Sequence, residues 1–163
     1  MTLDEVNACD RDAFVKALGW IFEGSPWVAE RAWARRPFVT PDDLHETMTA
    51  EVDGARRDEQ LALLRAHPDL GSRGRMSEAS SGEQTGAGLT RLSAADFDRL
   101  QALNATYHQR FNFPFLLAVG GRTTDEILAA LEARSTRPVD EEFAEALGQV
   151  YRIAWLRLQE MLR

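Results

Sequence analysis

The feature that most restricts the fold is a series of helix-start signals, each followed by apolar residues at helical spacing. Thr40-Pro41-Asp42-Asp43 sets an N-cap hydroxyl, a proline at the first helical position and an acid at the reciprocal capping position ahead of Leu44, Met48 and Val52. Ser93-Ala94-Ala95-Asp96 repeats the device before Phe97, Leu100, Asn104, Tyr107 and Phe111, and Thr123-Thr124-Asp125-Glu126 before Ile127, Leu128 and Leu131. Ser25-Pro26 reads as another N-cap with proline at N1, opening a short helix with Trp27 and Trp33. Asp10 precedes Phe14, Leu18, Ile21 and Phe22. Leu61, Leu63 and Leu64 belong to a helix that should stop near His67, because Pro68 disfavours the α conformation in the residue before it. Ser80-Ser81-Gly82-Glu83 reads as the capping box of a short helix ending near Gly86 to Gly88, and a last helix begins near Pro138. No segment alternates polar and apolar residues as a half-buried strand does. The expectation is all-α: about eight helices in a single compact, bundle-like domain spanning 1–163.

Charge narrows the partners. The chain of 163 residues carries a formal net charge of -7, which disfavours nucleic acid, since phosphate binding needs a basic surface. Any basic residue that matters must then act singly, in a pocket. Cys9 is the single cysteine, so no internal disulfide framework forms, which fits a reducing compartment. The first residues are acidic rather than basic and apolar, and no stretch approaches a membrane span. The expectation is a cytoplasmic protein with no membrane partner. The sequence holds no phosphate-binding P-loop, dinucleotide fingerprint or nucleophile elbow. His45 and His108 lack metal-ligand spacing and read as surface or packing residues. No cofactor and no metal are expected.

Four features stand out of place. The apolar stripe of the last helix runs Phe143, Leu147, Val150, Ala154, Arg157, Met161, so a guanidinium falls where an apolar side chain belongs. A buried arginine stays charged and needs an anion. Either a core carboxylate supplies that anion in a structural ion pair, or a substrate carboxylate is held by a bidentate bond, or the side chain snorkels out from the helix end and is not buried. His67 is the second feature. At a helix C-terminus the dipole favours the imidazolium, and Pro68 fixes the chain's exit; the plain alternative is a histidine that bonds a free helix carbonyl. Glu83 is the third. It completes its capping box, yet lies beside Asp69 to Ser80, a Gly-, Ser- and Arg-rich stretch of a length more often functional or mobile than passive. The fourth is Phe113 to Val119, an apolar run broken by Pro114. If buried, its backbone N–H and C=O groups need partners, from side chains, water or a polar heterocycle.

Ser25-Pro26-Trp27, Pro37-Phe38, Ala66-His67-Pro68-Asp69-Leu70, Ser80-x-x-Glu83-Gln84 and Ala87-Gly88-Leu89 precede Asn104-x-x-Tyr107, Phe111-Asn112-Phe113-Pro114-Phe115 and Arg157-Leu158. This ordered set, spread over nearly the whole chain, resembles the 2-oxo-4-hydroxy-4-carboxy-5-ureidoimidazoline (OHCU) decarboxylases of purine catabolism. Asn112 stands where that family usually has glycine, and Gly120 where lysine is common. The resemblance implies an all-helical, cofactor-independent carboxy-lyase that converts OHCU to (S)-allantoin. It further implies His67 as the catalytic acid, Glu83 as a partner of a ring nitrogen and Arg157 as the electrostatic anchor. Pro68, Ser80, Gln84 and the backbone of Phe115, Leu116, Leu117, Ala118 and Val119 would bind the small-molecule ureidoimidazoline. A homodimer stays open, as does functional coupling to hydroxyisourate hydrolase and urate oxidase. Two other readings remain: a non-enzymatic helical protein-interaction domain, with Arg157 in a structural salt bridge, and a decarboxylase of a related carboxylated heterocycle.

Overall fold

The computed structural model describes residues 1–72 and 76–163; residues 73–75, inside the Gly- and Arg-rich stretch noted above, lie outside the described residues. Among those described, nine α-helices and no strand are present: α1 (Leu3–Ala8), α2 (Arg11–Leu18), α3 (Trp27–Trp33), α4 (Pro41–Asp53), α5 (Arg57–Arg65), α6 (Glu78–Gly86), α7 (Ala94–Phe111), α8 (Thr124–Arg134) and α9 (Val139–Met161). The all-α expectation holds. The helices fall into two compact units, Met1–Ala66 with Tyr151–Arg163, and His67–Val150.

In the first unit α3 packs on both α2 and α4. Phe14, Leu18, Val28, Ala29, Ala32, Leu44, Met48 and Val52 are buried, matching the helical periodicity read from the sequence. Asp10 and Thr40 cap α2 and α4 by accepting the N–H groups of Ala13 and Asp43. Asp43, however, accepts from Val39 N rather than closing its box on Thr40. Two expectations need correction. The first is α1, which lay unread. Its signal was present in Thr2-x-x-Glu5, whose side chains exchange bonds with each other's backbone N–H at 3.2 and 2.7 Å. The second is Ser25, which does not cap α3. Pro26 occupies the N-cap position with no side-chain bond, and the left-handed turn at Gly24 (φ +57) brings Ser25 Oγ onto Glu23 O at 3.1 Å.

In the second unit α7 packs on α8. The core is aromatic: the Tyr107 ring lies 4.5, 5.9 and 5.4 Å from those of Phe111, Phe113 and Phe115. At that spacing, tilted and edge-on rings add attraction beyond area burial. Ser93 and Thr123 cap α7 and α8 as read from the sequence. Asn112 ends α7 in the left-handed conformation (φ 61, ψ 24), the position that glycine or asparagine commonly fills after a helix.

Candidate active site

His67 follows α5 directly. Ala66 is the C-cap, its N–H on Ala62 O at 3.0 Å, and Pro68 prevents further helix. His67 is buried, with 8% of its surface exposed. The segment from His67 to Gly71 has no regular structure, so its shape depends on side chains that reach it. Gln84 of α6 accepts the Gly71 N–H at 2.8 Å and extends its Nε2 to the Asp69 carbonyl at 3.5 Å. Asn104 of α7 donates from Nδ2 to Leu70 O at 3.0 Å. One turn further along α7, His108 Nε2 stands 3.4 Å from Asp69 Oδ1. Gly71 suits glycine: its φ is +71, and a Cβ there would stand 2.5 Å from Leu100 Cδ2, so that side chain would have to shift.

Helix α6 begins three residues earlier than the box read at Ser80. Ser77 is the N-cap, with Oγ accepting the Ser80 N–H at 3.1 Å. Ser77 sits in extended backbone (φ -63, ψ 159), the geometry of an N-cap, whereas Ser80 is already in the first helical turn. Glu83 is therefore a mid-helix residue rather than a cap partner. The i,i+4 spacing puts Ser80 and Gln84 on one face, 5% and 4% exposed, while Glu83 beside them is half-buried.

Phe113 to Val119 is irregular, as expected, and it is buried at every position. Part of its backbone is satisfied by side chains of its own unit. Leu116 O accepts from Arg134 Nη1 at 2.7 Å, Ala118 O from Arg122 Nε at 3.1 Å, and the Ala118 N–H goes to Gln149 Oε1 at 3.0 Å. Arg134 also lies 4.4 Å over the Phe115 ring. Behind it stands Glu142, fully buried, which takes Arg134 Nε at 2.7 Å and the Tyr107 hydroxyl at 2.5 Å, both on Oε1. Arg134 Nη2 approaches that oxygen at 2.6 Å as an ion pair without hydrogen-bond alignment, and Arg137 Nη1 stands 3.5 Å from Oε2. Burial, and then the Glu142 carboxylate, push the Tyr107 hydroxyl well above its usual range.

Arg157 is 3% exposed, as its place on the apolar stripe requires. Within the first unit its Nη2 donates to Glu23 Oε2 at 3.0 Å, and its Nη1 reaches the carbonyls of Trp20 and Ile21 at 3.1 and 3.4 Å. Of the two anions open to it from the sequence, the structure supplies the core carboxylate. His67, Pro68, Ser80, Glu83, Gln84 and Phe115–Val119 all belong to the second unit and Arg157 to the first. The second unit also holds a cavity of about 190 Å³ lined by Gly71, Ser72, Gln84, Leu89, Thr90, Leu92 and Phe97. Gln84 is the one residue it shares with the expected site.

The sequence model of OHCU decarboxylase matches residues 7–159. The chain belongs to the OHCU decarboxylase family. A 2-oxo-4-hydroxy-4-carboxy-5-ureidoimidazoline decarboxylase of Haloferax volcanii is 49% identical over 160 residues, covering 98% of this chain and 95% of the relative. A uric acid degradation bifunctional protein of Bacillus subtilis is 44% identical over 161 residues, 99% of this chain but 33% of that longer protein. Among solved structures, an (S)-allantoin synthase superposes with a TM-score of 0.81 at 32% identity, over all of this chain and 54% of that one. An OHCU decarboxylase crystallised in the presence of (S)-allantoin shares the fold, with a TM-score of 0.71 at 24% identity over 86% of this chain.

Sequence reasoning missed Arg134, Glu142, Arg122 and Gln149 as supports of the Phe115–Val119 segment. One signal was available. Arg134 falls on the Ile127, Leu131 stripe of α8 at the same spacing that singled out Arg157 on α9. Gln149 and Arg122 carry no such mark, because their partners are backbone atoms that only the fold brings near.

Proposed function

We propose that this OHCU decarboxylase family member is a carboxy-lyase that converts OHCU to (S)-allantoin and CO2 in urate catabolism. The observation that carries the reading is the 49% identity to the Haloferax volcanii decarboxylase over 160 residues, nearly the whole of both chains. The family match at 7–159 runs through both compact units, which supports treating 1–163 as one functional domain. No helix among the described residues is long and apolar enough to cross a membrane. We place the enzyme in the cytoplasm.

Loss of CO2 leaves an electron pair on the ring carbon that also bears the hydroxyl. The adjacent ring C=N bond accepts that pair; the hydroxyl carbon then becomes a carbonyl as the ureido-bearing carbon takes a proton. Delivery of that proton to one face sets the S configuration. The protein's part is to orient the scissile bond, stabilise the charge that develops and supply the proton on one side. We assign the proton to His67, whose side-chain type titrates near neutrality. Glu83 holds the ring nitrogens, and Ser80, Gln84, Pro68 and the Phe115–Val119 backbone surround the heterocycle. For Arg157 the resemblance implies an electrostatic anchor, while its observed anion is the Glu23 carboxylate. The 44% identical Bacillus subtilis relative, a uric acid degradation bifunctional protein, supports functional coupling to urate oxidase and hydroxyisourate hydrolase.

The test generates OHCU in situ from urate with those two enzymes and follows allantoin by circular dichroism. Addition of this protein should yield (S)-allantoin faster than the spontaneous racemic product forms. Equal rates and a racemic product would reject the assignment.

A further inference from the structure

One of the bonds that hold the segment after His67 comes from a residue with no assigned role. Asn104 is 6% exposed, and its Nδ2 donates to Leu70 O at 3.0 Å. Its Oδ1 is buried and has no hydrogen-bond partner among the described residues. Burying an unpaired amide oxygen costs stability, and leucine, of similar size, would carry no such cost. The amide at this position therefore serves the one bond it makes. That bond lands on an irregular stretch with no helix or strand to satisfy the Leu70 carbonyl. Gln84 holds the flanking groups, the Gly71 N–H at 2.8 Å and the Asp69 carbonyl at 3.5 Å. Three consecutive residues, Asp69 to Gly71, are thus fixed from two helices, next to Pro68, whose ring fixes its own backbone angle.

We propose that Asn104 is a positioning residue for His67. With Gln84 it forms a clamp on the Asp69–Gly71 backbone that sets the direction in which the His67 ring is presented. The proposal rests on the catalytic reading of His67 given above. The clamp acts on geometry rather than on stability: losing the Leu70 bond and losing the buried Oδ1 offset each other.

That opposition makes Asn104→Leu the informative variant, with Asn104→Ala beside it should leucine fail to fold. Two measurements are made on each purified, folded protein. In the coupled assay kcat should fall at least about tenfold, while KM changes by less than about twofold, since orientation of the acting group fails and substrate contacts persist. In the substrate-free protein, imidazole NMR should show the His67 resonances displaced, with those of His45, in the first unit, unmoved. Unchanged kcat per folded molecule would overturn the proposal, even if the resonances move. Unchanged His67 resonances would overturn it equally. If the wild-type protein forms no (S)-allantoin, the functional reading fails on its own, and the NMR measurement still decides whether Asn104 orients His67.

Discussion

Arg134→Met tests how much the buried charge cluster of the second unit contributes, and why. Arg134 is only 9% exposed at its side chain and Glu142 not at all. The substitution keeps an unbranched apolar side chain over Phe115 and removes two hydrogen bonds, Nε to Glu142 and Nη1 to Leu116 O, together with the close Nη2 ion pair to the same carboxylate oxygen. Glu142 keeps the Tyr107 hydroxyl and, at 3.5 Å, Arg137. Breaking one side of a buried pair costs about 3–5 kcal/mol, because the remaining charge stays desolvated without its partner. For a chain of this length that loss lowers Tm by about 6–20 °C. Urea unfolding should show a lower midpoint with an unchanged slope. The triple variant Arg134→Met/Glu142→Leu/Tyr107→Phe removes the stranded carboxylate and hydroxyl together. It should regain about 2 kcal/mol, leaving about 1–3 kcal/mol for the orphaned Leu116 carbonyl. If the triple variant is as unstable as the single one, the penalty is not one of uncompensated charge, and the reasoning fails.

Other outcomes follow from the same geometry. His67→Asn and His67→Ala should each lower kcat by about 100-fold or more in the coupled assay, the usual loss for a general acid; turnover at the wild-type rate in either would remove His67 from the mechanism. Gly71→Ala should cost about 1–3 kcal/mol in urea unfolding, since φ is +71 and the added Cβ meets Leu100 at 2.5 Å; a loss under about 0.5 kcal/mol would mean the turn relaxes freely. Burial, then the carboxylates of Glu142 and Asp53, raise the hydroxyls of Tyr107 and Tyr151 above their ordinary value of 10.0. Folding therefore favours their protonated forms, and this contribution is complete below pH 10 and lost above it, where the unfolded chain ionises first. Stability should fall above that pH by up to about 1.4 kcal/mol per pH unit for buried Tyr107 and by less for Tyr151, whose hydroxyl meets the solvent-exposed Asp53, and Tyr151→Phe should make the slope shallower.

Much of the fold was legible because helix capping and apolar periodicity are local. Thr40, Ser93 and Thr123 cap the helices they were expected to cap, and the stripe of α9 pointed to the arginine that is buried. Where local signals compete, the sequence misled. Ser77 and Ser80 are both plausible caps, and only the extended backbone at Ser77 decided for the earlier one, which turned Glu83 from a cap partner into a mid-helix residue. Ser25 had the right neighbour for a cap, but the Gly24 turn directs its hydroxyl to Glu23 instead.

The candidate site divides along the same line. By itself the sequence determined that a helix stops near His67, that Phe113–Val119 cannot be one, and that Arg157 falls on an apolar stripe where burial would require an anion. All three follow from backbone sterics or from side-chain periodicity within a single element. Which anion Arg157 meets, what holds the His67 turn and what satisfies the Phe115–Val119 backbone were decided by tertiary structure alone. Glu23 lies 134 residues from Arg157, and Asn104 lies 34 from Leu70. Bonds across such separations leave no periodic trace, because the chain has to fold before the two groups can meet.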